Sequence, residues 1–163
     1  MSYGGGGQEG VDYSTARGRD WPSVRQFNVF LENRVGVLLD VVRRFETTDV
    51  KIVALSVVDL ADCAIVRMVL SDPERAREIF EQSGFPVTET DLLVVQLPEG
   101  PQPMIQIFKA LLALEINIDY AYMLLVGTQG HPALAMHVDD HETAAGILNT
   151  KGFTVFTEND LSS

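Results

Sequence analysis

Several things are scarce in this sequence, and each scarcity closes a door. Cysteine occurs once, at Cys63, so neither a disulfide framework nor a cysteine-rich zinc site can be built within the chain. Basic residues are few: 12 Lys and Arg stand against 23 Asp and Glu, a net charge of −11. That field repels phosphate backbones and anionic headgroups, which excludes nucleic acid and membrane surfaces as partners. Long apolar runs are missing as well. The nearest, Met104 to Leu125, is broken by Lys109, Glu115 and Asp119, whereas a membrane span needs ~20 residues with few or no charges. No basic start followed by an apolar stretch opens the chain; Gly4 to Gly7 and polar residues through Asp20 stand there instead. With the lone cysteine, this leads us to expect a cytoplasmic protein. Signatures of catalysis are wanting too. No Gly-x-Ser-x-Gly turn is present, the glycine run at 4–7 lacks a Lys-Ser/Thr ending, and Cys63 has no base beside it in sequence. The chain reads as a non-enzyme with no cofactor.

What remains is a globular composition, 46% hydrophobic and 21% charged, over 163 residues, enough for one ordinary domain or two small ones. Residues 1–23 carry 6 of the 13 glycines and little aliphatic content, so they are expected to be a flexible leader. Beyond them the sequence repeats. A shift of 68 places matches Asp72 with Asp140, Glu74 with Glu142, Ala76 with Ala144 and Ile79 with Ile147, then Gly84, Phe85 and Val87 with Gly152, Phe153 and Val155. Two modules follow, 24–90 and 91–163, the second with 2 basic and 9 acidic residues.

Each module reads as strand, helix, strand, strand, helix, strand. In the first, Phe27, Val29 and Leu31 alternate, and Val37, Leu38, Val41, Val42 and Phe45 then recur at helical spacing. Val50–Val58 and Ala64–Leu70 form a hairpin across the polar link 59–62. Asp72 caps a second helix that has Pro73 at its first position and ends at Gly84; Phe85 and Val87 begin the closing strand. The second module repeats this with strands at Leu92–Leu97, Ile116–Val126, Ala133–Val138 and Phe153–Phe156, and helices around Met104–Leu112 and Asp140–Lys151. The fold class is α+β: two ferredoxin-like βαββαβ units whose antiparallel sheets lie side by side, with helices on one face. The short, strand-like link from Val87 to Leu97 predicts that the sheets join edge to edge.

The turn Glu32-Asn33-Arg34-Val35-Gly36-Val37-Leu38 is the first candidate site. Its glycine permits close backbone approach, and free amides at a helix start attract a carboxylate. The same residues also fit a plain structural role, with Gly36 making the turn and Asn33 capping the helix. His137, Asp139, Asp140 and His141 are the only cluster with metal-ligand chemistry, but a strand-to-helix corner gives them no reason to converge, so no metal site is expected. Arg67 projects from a strand and is expected to pair with an acidic neighbour.

Taken with the repeat and the element order, Glu-Asn-Arg-x-Gly-Val-Leu resembles the start of an ACT domain, the small regulatory module that binds amino acids. It is similar to the serine-binding regulatory domain of phosphoglycerate dehydrogenases, with Val35 where proline usually stands. Asp49-Val50-Lys51-Ile52 and Glu115-Ile116-Asn117-Ile118 resemble the family's glycine-(Ile/Val)-Asn-(Ile/Val) entry to the second strand. The resemblance spans about residues 25–161. It implies a ligand held between the first turn of one module and the second-strand start of its neighbour, hence by Asn33, Arg34, Val35, Gly36, Val37 and Leu38 with Asn117 and Ile118 opposite. Leu31 stands where the serine-binding relatives have histidine, which suits an aliphatic or aromatic ligand side chain. The reciprocal site departs from the family pattern at Glu99–Met104 and at Lys51, so one competent site and one altered site are expected. The implied function is a non-catalytic sensor that binds an amino acid, regulates an enzyme or pathway and forms a homodimer. The alternative is a regulatory or scaffolding subunit that binds a partner enzyme without a ligand.

Overall fold

The computed structural model describes residues 21–33, 35–125 and 130–161. The expected leader up to residue 20, Arg34 and the Val126 end of one expected strand lie outside them. Among the described residues six strands and four helices follow one another as β1 (Val24–Glu32), α1 (Val37–Val42), β2 (Ile52–Asp59), β3 (Cys63–Leu70), α2 (Pro73–Ser83), β4 (Val87–Gln96), α3 (Pro103–Leu112), β5 (Ile118–Met123), β6 (Ala133–Val138) and α4 (His141–Thr150). One-turn 3₁₀ segments follow α1 at Arg43–Phe45 and stand after α4 at Glu158–Leu161. Local chemistry sets the helix ends. Asp72 accepts a hydrogen bond from the Arg75 amide (3.1 Å) with Pro73 behind it, and Asp140 does the same for Thr143 (3.2 Å). Gly84 ends α2 at φ 77°, a left-handed conformation open to glycine at no steric cost. Glu115 adopts φ 55° at the family's glycine position before β5, which costs a residue with a Cβ about 1–2 kcal/mol.

The strands form a single sheet in the order β2-β3-β1-β4-β6-β5, every neighbouring pair antiparallel. β4 joins the two halves. Its first part pairs with β1 from Val29↔Val87 to Val24↔Leu92, and its second part pairs with β6 from Leu93↔Met136 to Gln96↔Ala133. The expected edge-to-edge junction is thus one uninterrupted strand. The expected closing strand Phe153–Phe156 is reduced to a single bridge, Val95↔Val155, flanked by Gln96 N donating to Thr154 O (2.9 Å) and Phe156 N donating to Val94 O (2.8 Å). β1 already fills that edge of β4 as far as Leu92, so only the last residues of β4 are left to pair.

All four helices cover one face, as expected. Phe27, Val29, Val66 and Met68 pack beneath α1 and α2, and Leu93, Val95, Leu134 and Met136 pack beneath α3 and α4. Among the described residues the opposite face has no helix, yet Val24, Val69, Leu92, Val94, Ala133 and Ala135 are buried on it. The cause is curling. β2 and β5 are the two edges of the strand order, five spacings or ~24 Å apart on a flat sheet, but Leu125 N donates to Val53 O at 2.6 Å. The sheet therefore rolls until its edges meet at one end. Ala54, Ala133 and Ala135 line the inside, where small side chains suit the restricted space. Among the described residues no helix is long and apolar enough to cross a membrane.

Candidate functional site

The β1–α1 turn is anchored by a side-chain bond to the neighbouring hairpin. Asn33 donates from Nδ2 to Asp59 Oδ1 at 3.0 Å, which ties the end of β1 to the end of β2. Gly36, at φ 88°, is the residue that caps α1, and no side chain supplies the cap. Of the two structural roles open to this turn, glycine therefore makes the bend, while the Asn33 amide goes to a carboxylate. Val35 projects fully into solvent, Leu38 is half-exposed, and Val37 turns inward. A cleft of about 180 Å³ lies beside the turn. Leu31, Val37, Leu38 and Val57 wall it with apolar surface, and Glu32, Asn33 and Asp59 form its polar rim. This arrangement suits an apolar side chain inside the cleft with an ammonium group at the acidic rim.

Asn117 and Ile118 belong to a different neighbourhood. Asn117 donates from Nδ2 to Asp119 Oδ1 (2.8 Å), its backbone N donates to Asp139 Oδ1 (3.0 Å), and Asp139 N donates to Asn117 O (3.2 Å). Ile118 lies against α3 beside Ile105, Phe108 and Leu112. β1 and β6 both run antiparallel to β4, and β5 starts beside the end of β6, so Asn33 and Asn117 occupy the same end of the sheet. No hydrogen bond among the described residues joins the two sets. At the second turn Gly100 sits at φ 126°, and Gln106 Nε2 donates to Glu99 O at 3.4 Å, so the chain's own side chain closes that turn.

The His-Asp cluster disperses. His137 Nδ1 lies 2.7 Å from Asp119 Oδ2, His141 Nε2 meets Pro22 O at 2.8 Å, Asp140 caps α4 and Asp139 bonds Asn117. Among the described residues no group of three or more such side chains is placed to hold a metal ion.

Two polar clusters escaped the sequence reading. On the inner face of the curl, Tyr122 Oη donates to Gln26 Oε1 (2.6 Å), and Gln26 Nε2 donates to Tyr120 Oη (2.8 Å) and to Asn28 Oδ1 (2.7 Å). Gln26 is fully buried. Burial, reinforced by Tyr120 and opposed by Arg67, holds the Tyr122 phenol well above its ordinary range. Arg67 finds an aromatic partner where an acidic one was expected, its guanidinium lying 3.6 Å over the Tyr120 ring; the His137 ring also stacks on Tyr120, 5.3 Å away and near parallel. On the helical face the Arg25 side chain is wholly buried and contacts Glu74 (2.9 Å), Glu89 (3.5 Å) and Glu158 (3.5 Å). It thus binds the first module to the 3₁₀ segment that ends the second. The hint in the sequence was the adjacent polar pair Arg25-Gln26, which breaks the alternation of polar and apolar residues in this strand.

Comparison with known proteins places this geometry in context. The family model described as an ACT domain pair matches residues 22–163. No curated protein matches. Among solved structures, protein BT0572 from Bacteroides thetaiotaomicron is similar in fold, with a TM-score of 0.78 at 23% identity, covering 88% of this chain and 98% of that one. The ligand-free regulatory subunit of aspartate kinase from Thermus thermophilus is also similar, with a TM-score of 0.53 at 10% identity, covering 82% of this chain and 95% of that one. With its two βαββ repeats on one shared strand and the family match spanning both modules, this chain belongs to the ACT domain pair family.

Proposed function

We propose that this protein is a non-catalytic regulatory module that binds an amino acid with an apolar side chain at the β1–α1 turn. The observation that carries this reading is the Asn33–Asp59 pair at the mouth of an apolar cleft, beside the positive-φ turn at Gly36. The cleft takes the side chain. Asp59 receives the ammonium group, and Asn33 with the backbone amides of Val35, Gly36 and Val37 receives the carboxylate by directional hydrogen bonds. Arg34 adds positive charge from the same turn. Asn117 and Ile118, which lie apart from this cleft within one chain, would complete the contact from the neighbouring module of a second copy. A ligand that touches both modules favours the arrangement in which they are aligned, and shifts that equilibrium by its difference in affinity for the two states. Family membership supports a regulatory role, and the fold shared with a regulatory subunit of aspartate kinase agrees with it. Regulation would then reach a partner enzyme.

Thermal unfolding of the full chain against the common amino acids tests this. A ligand at 100-fold over its Kd adds ~2.7 kcal/mol, and for a chain of this size each kcal/mol raises the midpoint by ~2–4 °C. We expect a shift of this order for leucine, valine or phenylalanine, less for serine, and none in Asn33→Ala. Asn117→Ala is expected to weaken the shift. A flat response across all amino acids overturns the proposal.

A further inference from the structure

On the inner face of the curl the side-chain hydrogen bonds all run in one direction. Tyr122 Oη donates to Gln26 Oε1, Gln26 Nε2 donates to Tyr120 Oη and Asn28 Oδ1, and Asn28 Nδ2 donates in turn to Thr90 Oγ1 (2.8 Å) and Thr88 Oγ1 (3.2 Å). The network thus ends on three hydroxyls, those of Tyr120, Thr88 and Thr90, each of which accepts a bond and keeps its own proton to give. Among the described residues no acceptor meets those protons. Arg67 is in the same position. Its guanidinium lies over the Tyr120 ring, and among the described residues no carboxylate pairs with it, although the chain has 23 Asp and Glu to 12 Lys and Arg. Strand register brings these donors together: Arg67 of β3, Asn28 of β1 and Thr88 of β4 stand opposite one another on three adjacent strands, and therefore on one face. Burial grades along that face. Val24 and Leu92 at its inner end are buried, as is Gln26; Asn28 and Arg67 are half-buried, Thr88 is exposed, and beyond them the opposed pair Phe30 and Ile65 presents apolar surface, with Phe30 37% exposed.

We propose that this row is a second small-molecule site, one that takes a carboxylic acid with a short apolar tail. A carboxylate supplies what the row lacks, since it is all acceptor and carries negative charge. The edge of the Arg67 guanidinium gives it charge-assisted N–H bonds while the face stays on Tyr120. Thr88 gives its hydroxyl proton from the other side of Asn28, whose own amide protons are already committed to the two threonines. The tail lies along Phe30 and Ile65, the apolar surface next to the row. A cationic ligand meets Arg67 and finds no acceptor, because the carboxylate across the curl, Asp119, is bonded to His137 at 2.7 Å and to Asn117 at 2.8 Å. None of Asn28, Phe30, Ile65, Arg67 and Thr88 lines the cleft at the β1–α1 turn. This site therefore does not rest on the amino-acid proposal.

An amide NMR titration of the full chain with hexanoate tests this, with hexanamide and acetate beside it. Hexanoate is expected to bind with a Kd of about 1 mM, shifting the amides of Asn28, Arg67 and Thr88. Hexanamide, which has no charge, and acetate, which has no tail, should each bind about 10-fold more weakly or worse. Arg67→Gln keeps most of the length and removes the charge, and should weaken hexanoate by about 10-fold or more. Because Arg67 also holds Tyr120, a second variant carries the test without touching that contact: Thr88→Val, an exposed and nearly isosteric change, should weaken hexanoate by about 5-fold. Asn33→Ala, at the β1–α1 turn, should leave hexanoate binding unchanged, so failure of this site and failure of the amino-acid site are told apart. No shift with hexanoate up to about 20 mM overturns the proposal. Equal binding of hexanoate and hexanamide overturns it too, as does hexanoate binding that survives both Arg67→Gln and Thr88→Val unchanged.

Discussion

Replacing Gln26 by leucine removes the polar centre of the curled sheet while keeping nearly its volume. Two phenol hydroxyls, those of Tyr120 and Tyr122, would lose their bonds to the amide. A buried polar group without a partner costs ~1–3 kcal/mol, so Gln26→Leu should destabilise by ~2–3 kcal/mol, or ~5–10 °C in midpoint at this chain length. Tyr122→Phe strands only the Gln26 carbonyl oxygen and should cost ~1–2 kcal/mol. In the double variant Gln26 and the Tyr122 hydroxyl leave together, so its loss should fall short of the sum of the single losses by ~1 kcal/mol or more. Urea denaturation of the four proteins, with the m-value checked for constancy, measures this. Additivity within ~0.3 kcal/mol would refute the reasoning, for it would mean that β1 and β5 do not meet through this pair and that the curl is held by other contacts.

Two further outcomes follow from the same clusters. The Tyr122 phenol is held above its ordinary value in the folded state, so the unfolded chain ionises first; stability should be flat below about pH 9, fall as pH rises through ~10, and fall less steeply in Tyr122→Phe. Urea midpoints between pH 8 and 11 would show it, and an identical slope in both proteins would contradict the assignment. Arg25→Ala removes the wholly buried cation shared by Glu74, Glu89 and Glu158, of which Glu158 is just 11% exposed, and leaves Arg77 on Glu74 and Glu89 alone. Breaking a buried ion cluster from one side costs ~3–5 kcal/mol, so a loss below ~1 kcal/mol in urea unfolding would show that Arg25 does not hold the 3₁₀ segment in place.

The β1–α1 turn shows how far local reading carries. Its glycine and the helix after it were legible because a left-handed residue and an apolar period are properties of consecutive residues. The partner of Asn33 was not, since Asp59 lies 26 residues away and is delivered by the β2–β3 hairpin. Asn117 was named through resemblance, and only the fold reveals that its side chain turns to Asp119 two residues on. Arg67 was read as one half of an ion pair because a strand residue's neighbours across a curl cannot be seen in the sequence; its partner proved to be a ring from the far edge of the sheet.

By itself the sequence determined the repeat, which is a comparison of the chain with itself, and the order of strands and helices and the Asp72 and Asp140 caps, because these depend on residues within a turn or a strand of one another. Tertiary structure alone decided that the sheet rolls until β2 and β5 touch, that the last strand shrinks to one bridge, and that Gln26 and Arg25 become the buried polar centres of opposite faces. These features arise between residues as much as 133 positions apart, as with Arg25 and Glu158. They are set by which edges find unpaired backbone and which polar groups find partners once the apolar faces have closed.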